Sequence, residues 1–133
     1  MREIVWSDVL SVEFDEIDED HHKLVDLFNT LNHAIADGDN PDYVEAILDE
    51  LIACTVWHFK HEERLMMKHD YKGFADHKEE HLALIESAQK LYEKFIQQDK
   101  QLSNDDIEFL DQWLTEHILT TDMALGGYLA LKA

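Results

Sequence analysis

The chain has 133 residues, enough for one domain with a full hydrophobic core and too few for a second. Its 30 acidic residues outnumber its 11 basic ones, for a formal net charge of −19, and the summed negative field disfavours nucleic acid and anionic membrane surfaces as partners. No stretch approaches the roughly 20 apolar residues of a membrane span, the start of the chain lacks the apolar run of a signal peptide, and the single Cys54 cannot close an internal disulfide, so cytoplasmic residence is the default expectation.

One Pro and four Gly leave few forced breaks, which favours long helices over strands. Residues 1–10 read as a short mixed arm with Arg2, Glu3 and Asp8 among apolar residues. A first helix is predicted from about residue 17 to 36, stopped by the turn-forming run Asp37-Gly38-Asp39-Asn40. Asn40 caps a second helix, with Pro41 in the first turn where its missing amide costs nothing, running to about His69. Asp70-Tyr71-Lys72-Gly73 forms the next turn, and a third helix runs from about Phe74 to Gln98. Ser103 or Asn104 caps the fourth, whose early acids Asp105, Asp106 and Glu108 suit the positive helix start. It is expected to end near Asp122, with Gly126-Gly127 breaking any continuation. These elements predict an all-α protein, an antiparallel up-down-up-down four-helix bundle with an N-terminal arm, forming a single domain over residues 1–133.

The apolar stripes give each helix an inner face. On the first, Leu24, Leu27, Phe28, Leu31 and Ile35 recur at steps of three and four, and His21 precedes Leu24 by three on the same face. His22 lies about 100° round and reads as a surface residue. The second helix has the cleanest seam: Val44, Leu48, Leu51, Thr55, His58, Glu62 and Leu65. Glu62 lies about 40° from His58, whereas Glu63 lies about 140° away, so Glu62 is the seam carboxylate. His61, roughly 60° off His58, is close enough to border the site, although the simpler reading is a boundary residue.

The third helix carries Phe74, His77, His81, Leu84, Ala88, Leu91 and Phe95. Two histidines at i and i+4 can chelate one ion from one face, although such a pair alone is a weak signal. On the fourth, Leu110, Leu114 and His117 share a face with Trp113 beside them. Asp122 stands five residues past His117, which on a regular helix is about 140° away, so it needs a frayed end, a π-bulge or a shifted bridging position to join them.

Five histidines and two carboxylates, His21, His58, Glu62, His77, His81, His117 and Asp122, thus fall on inner faces. Each would cost on the order of 1 to 3 kcal/mol if buried unpaired, which argues for a metal among them. Seven donors exceed what one tetrahedral zinc can use; they suit two six-coordinate ions with bridging carboxylates and one open position. The di-iron arrangement built on two Glu-x-x-His motifs is excluded, because the one copy here, Glu19 to His22, points outward. An imidazole-rich set stabilises ferrous iron and provides few anionic ligands for high-valent iron. Reversible oxygen chemistry is therefore expected over oxygen activation.

The segments Ile17-Asp18-Glu19-Asp20-His21, His58-Phe59-Lys60-His61-Glu62-Glu63, His77-Lys78-Glu79-Glu80-His81 and Trp113-Leu114-Thr115-Glu116-His117-Ile118, with Trp6 before them and Asp122 after, resemble the bacterial hemerythrins over essentially the whole chain. The resemblance implies an antiparallel four-helix bundle around a non-haem di-iron centre, Fe2+ or Fe3+ with a bridging oxo or hydroxo group, that binds O2 reversibly. By position, His77, His81 and His117 would hold one iron, His21 and His58 the other, and Glu62 and Asp122 would bridge. O2 would bind at the iron with two histidines, in a pocket walled by Leu24, Phe59, Trp113, Leu114 and Ile118.

The function so implied is oxygen storage, delivery or sensing, without enzymatic turnover, and delivery would call for an oxygen-consuming enzyme as partner. The alternatives are a di-iron peroxidase or ferroxidase-like scavenger, or a protein handling iron or nitric oxide. Two positions depart from the family pattern: Asp20 stands where Gln is frequent, and Glu13 where Gly is common. Both lie outside the ligand set and bear on tuning of the site or on the arm.

Overall fold

A computed structural model of the protein describes residues 11–12, 14–117 and 121–132. Helix α1 spans Asp15–Ala36, α2 Pro41–Lys68, α3 Phe74–Gln97 and α4 Asn104–His117, followed by α5 at Met123–Lys132. The arm at residues 1–10, with Trp6, and the positions of Glu13 and Ile118 lie outside the described residues.

Local chemistry sets the helix boundaries. Asn40 Oδ1 accepts from the Asp42 amide at 2.8 Å, with Pro41 next to it in the first turn. Gly38 adopts φ 69° just past α1, the left-handed geometry that lets the Gly38 and Asp39 amides turn back to the Ile35 and Ala34 carbonyls. Ser103 is the cap of α4: its hydroxyl accepts from the Asp106 amide at 3.1 Å, and Asp106 Oδ2 accepts from the Ser103 amide at 2.9 Å. This reciprocal pair satisfies two amides that the helix start leaves unpaired.

Short connections make successive helices antiparallel, and the first four close into a bundle with α1 packed on both α2 and α4. Every residue of the α2 seam from Val44 through Thr55 to Leu65 is buried, and so are Leu24, Phe28 and Leu31 on α1 and Ala88, Leu91 and Phe95 on α3. Phe28, Leu48, Leu51 and Phe95 fill the half of the core away from the histidines. Among the described residues no helix is long and apolar enough to cross a membrane.

The chain does not stop at Gly126-Gly127 as predicted: α5 runs through both. Its buried Leu125 and Leu129 anchor it to the core. Gly126 permits a close approach, since a Cβ there would stand 2.1 Å from the Val12 carbonyl oxygen. The residues it meets are themselves strapped to α1, with Val12 N–H and Ser11 Oγ donating to the two oxygens of Asp18 at 2.8 and 2.7 Å. The glycine pair was read from helix propensity alone, and here packing outweighs propensity.

Candidate metal centre

All seven predicted donors converge at one level of the bundle, and all are buried. They divide into two overlapping groups. Glu62, His77, His81, His117 and Asp122 form one; His21, His58, Glu62 and Asp122 form the other. Within each group the candidate ligand atoms lie within 4.8 Å of one another.

The two shared carboxylates straddle the groups. Glu62 turns Oε1 to the larger group, 2.9 Å from His81 Nε2 and 3.4 Å from His77 Nε2, while Oε2 lies 3.2 Å from His58 Nε2. Asp122 does the same: Oδ1 stands 3.0 Å from His77 Nε2 and 2.9 Å from His117 Nε2, and Oδ2 lies 2.7 Å from His21 Nε2. The five-residue step does not keep Asp122 from the cluster: residues 121–122 are π-helical, a winding wider than that of a regular α-helix, and Asp122 lies beside His117.

These contacts are mostly not hydrogen bonds. His58 Nε2, His77 Nε2, His117 Nε2, Glu62 Oε2 and Asp122 Oδ1 are buried with no hydrogen-bond partner, although an oppositely polar atom stands near each. Polar atoms brought this close within each group without pairing are what a shared cation would satisfy. Donors bound at right angles to an ion at about 2.1 Å would stand about 3.0 Å apart, close to the separations here. Unpaired, each would cost about 1 to 3 kcal/mol. The donor set therefore fits two cations.

Electrostatics point the same way. Burial lowers the pKa of His58 and of His21, but the facing Glu62 and Asp122 outweigh it and leave both raised, His58 well above the ordinary value. The same balance takes His77 to about 9 and His117 to about 11. Burial and the mutual repulsion of the carboxylates push Asp122 up, yet His117 and His21 pull it well below the usual carboxylate range; Glu62 is lowered similarly, with His58 the strongest influence against burial. The cluster favours positive charge at its middle, which ions supply directly.

Three of the five histidines donate their outer nitrogen to a carboxylate. His58 Nδ1 donates to Asp20 at 2.8 Å, His81 Nδ1 to Glu63 at 3.0 Å and His117 Nδ1 to Glu80 at 3.1 Å. Each such bond fixes the tautomer that leaves Nε2 free to face the centre. Asp20 Oδ2 also accepts from His61 Nδ1 at 2.6 Å, and His61 Nε2 reaches Glu16 at 3.2 Å, so His61 belongs to the surroundings of the site and is more than a boundary residue. His22 is half exposed beside Asp26, as its helix face predicted.

The sequence reading missed Glu63 and Glu80 as partners of the histidines, and it left the role of Asp20 open. One signal was available. Each of the three carboxylates is adjacent in sequence to a donor, yet supports a histidine on a different helix.

A small cavity opens beside the centre, lined by Leu24, Phe59, Trp113 and Leu114, four of the five predicted walls, with Leu84 and Thr55 added. Ile118, the fifth, lies outside the described residues. The cavity touches both His21 and His58 but only His117 of the larger group. Its walls are held in place: Phe59 stacks on His81 with ring centroids 3.9 Å apart, and Trp113 Nε1 donates to the Leu84 carbonyl at 3.1 Å. The Thr55 hydroxyl donates to the Leu51 carbonyl at 2.7 Å, so its proton is committed.

A model of the hemerythrin HHE cation binding domain matches residues 12–129. The chain is 34% identical over 113 residues to a bacteriohemerythrin of Methylococcus capsulatus, spanning 85% of this chain and 86% of that one. With a myohemerythrin of Riftia pachyptila it shares 31% identity over 129 residues, 94% of this chain and 92% of the other. A crystal structure of wild-type hemerythrin superposes with a TM-score of 0.85 at 32% identity, covering 95% of this chain and 97% of that one. Matched along nearly its whole length in sequence and in fold, this chain belongs to the hemerythrin family.

Proposed function

We propose that the protein binds O2 reversibly at two iron ions, with His77, His81 and His117 holding one, His21 and His58 the other, and Glu62 and Asp122 bridging them. The observation that carries this reading is the position of the apolar cavity, which lies against the group with only two histidines. Bound ferrous ions, joined by a solvent-derived oxo or hydroxo bridge, would supply the electrons and the open position that O2 requires. Glu62 and Asp122 present one oxygen to each group, so they would hold both ions and offset part of their charge. Leu24, Phe59, Trp113 and Leu114 exclude water from the open side, and among the described walls the Thr55 proton is already engaged. A dry wall of this kind favours release of O2 unchanged over its proton-driven reduction. The role that follows is oxygen storage or delivery, a carrier and not an enzyme, with an oxygen-consuming enzyme as the recipient in delivery.

The test begins with iron content, expected at two ions per chain. Ferrous protein is then exposed to O2 and stripped under vacuum through several cycles. Repeated recovery of the colourless ferrous form is the expected result; rapid one-way oxidation with turnover of added peroxide would sink the carrier reading.

A further inference from the structure

The step from His117 to Asp122 needs a mechanical account, because the π turn at residues 121–122 is a rare departure from regular winding. Regular winding would carry Asp122 about 140° away from His117. Instead Asp122 Oδ1 stands 2.9 Å from His117 Nε2. Spacing within the helix does not select this outcome, so an outside contact must favour it.

Glu80, on α3, touches both sides of the step. Its Oε1 accepts from His117 Nδ1 at 3.1 Å, and its Oε2 accepts from the Thr121 hydroxyl. One carboxylate therefore grips the last residue of α4 and the residue immediately before Asp122. We infer that Glu80 and Thr121 form a latch that holds the π turn in register, making Glu80 a positioning residue for two donors: His117 through its ring and Asp122 through the backbone. This rests on the reading of the seven donors as a di-iron centre.

The latch makes a distinctive demand. His117 belongs to one donor group only, whereas Asp122 faces both. A carboxylate that merely oriented His117 would act directly on one ion and reach the other only through the shared carboxylates. A latch acting on Asp122 influences both, and does so through Thr121, which itself is not a donor. Thr121 is thus the position at which the two roles separate.

The experiment titrates ferrous iron anaerobically into iron-free wild type, Thr121→Val, Thr121→Ser, Glu80→Gln and the Glu80→Gln/Thr121→Val double variant, and records visible spectra of the cobalt(II)-loaded forms. Thr121→Val keeps the side-chain shape without the hydroxyl; it is expected to weaken both ions by about 10-fold or more and to alter the cobalt bands of both sites. Thr121→Ser should restore affinity and spectrum, and the double variant should bind no more weakly than Glu80→Gln alone. Helical circular dichroism of the iron-free variants is expected to match wild type. Wild-type affinity and spectrum in Thr121→Val, or an effect confined to one ion, would overturn the latch, as would loss of helical dichroism, which would assign the pair to general folding. Wild type that takes up fewer than two ions would overturn the di-iron reading itself, before any variant is compared.

Discussion

His21 and His22 are neighbours in sequence and about 100° apart on the helix, so they meet opposite environments. His21 is buried with Nε2 2.7 Å from Asp122, whereas the side chain of His22 is 50% exposed. His21→Ala is expected to abolish stable O2 binding and His22→Ala to leave it intact, read from oxygenation spectra of the iron-loaded variants; the reverse pattern would refute the assignment of faces. Six of the seven candidate donors were legible because each lies on an apolar seam, where the 3.6-residue period of one helix is enough to place it, whereas Asp122, about 140° from His117 on a regular helix, was reached only through the family resemblance. Glu63 was dismissed for lying about 140° from His58, a sound statement about α2 that says nothing of α3, where its partner His81 lies. Asp20 and Glu80 were opaque for the same reason. Their bonds depend on how neighbouring helices are rotated against each other, which no single-helix period encodes.

At the scale of elements, the start of α4 and the body of α5 illustrate a legible and an illegible feature. Ser103 and acids nearby marked the α4 cap, and the structure adds that Asp106 receives Ser103 N–H, Lys94 Nζ at 2.9 Å and Gln98 Nε2 at 3.4 Å. Burial raises the Asp106 pKa, but Lys94 and Ser103 outweigh it and hold the carboxyl below its ordinary 3.8. A depressed folded pKa gives stability that is complete above the unfolded value and declines as pH falls through the folded one. Asp106→Ala should therefore cost about 1 to 2 kcal/mol in urea unfolding of the iron-free chain at pH 7, and the gap to wild type should narrow below about pH 4. In α5, the two glycines look alike in sequence and differ in packing. Gly127→Ala meets nothing within 4 Å and should stabilise by about 0.5 to 1 kcal/mol through helix propensity. Gly126→Ala meets the Val12 backbone and should destabilise, by displacing residues 11–12 from α5. Equal effects of the two substitutions in thermal unfolding would contradict the close approach.

Across the whole molecule, the seven donors come from every helix of the bundle: His21 from α1, His58 and Glu62 from α2, His77 and His81 from α3, His117 from α4, and Asp122 from the π turn that leads into α5. Ions held there would crosslink elements that otherwise meet through apolar contacts and a few hydrogen bonds, and would satisfy buried atoms that have no other partner. Because the unfolded chain presents no such assembled site, binding is coupled to folding. An ion present at about 100 times its dissociation constant adds about 2.7 kcal/mol. For a chain of this length that is roughly 10 °C in Tm per ion. Removing iron with a chelator should therefore lower Tm by roughly 20 °C while leaving most of the helical circular dichroism at 25 °C, since Phe28, Leu48, Leu51 and Phe95 pack in the half of the core away from the donors. The loss should occur in one step rather than two. Glu62 and Asp122 are shared, so departure of one ion exposes a buried oxygen on each and weakens the other site. Calorimetry during stepwise iron return, showing at one ion per chain a single unfolding transition midway between those of the iron-free and fully loaded forms, would contradict that coupling.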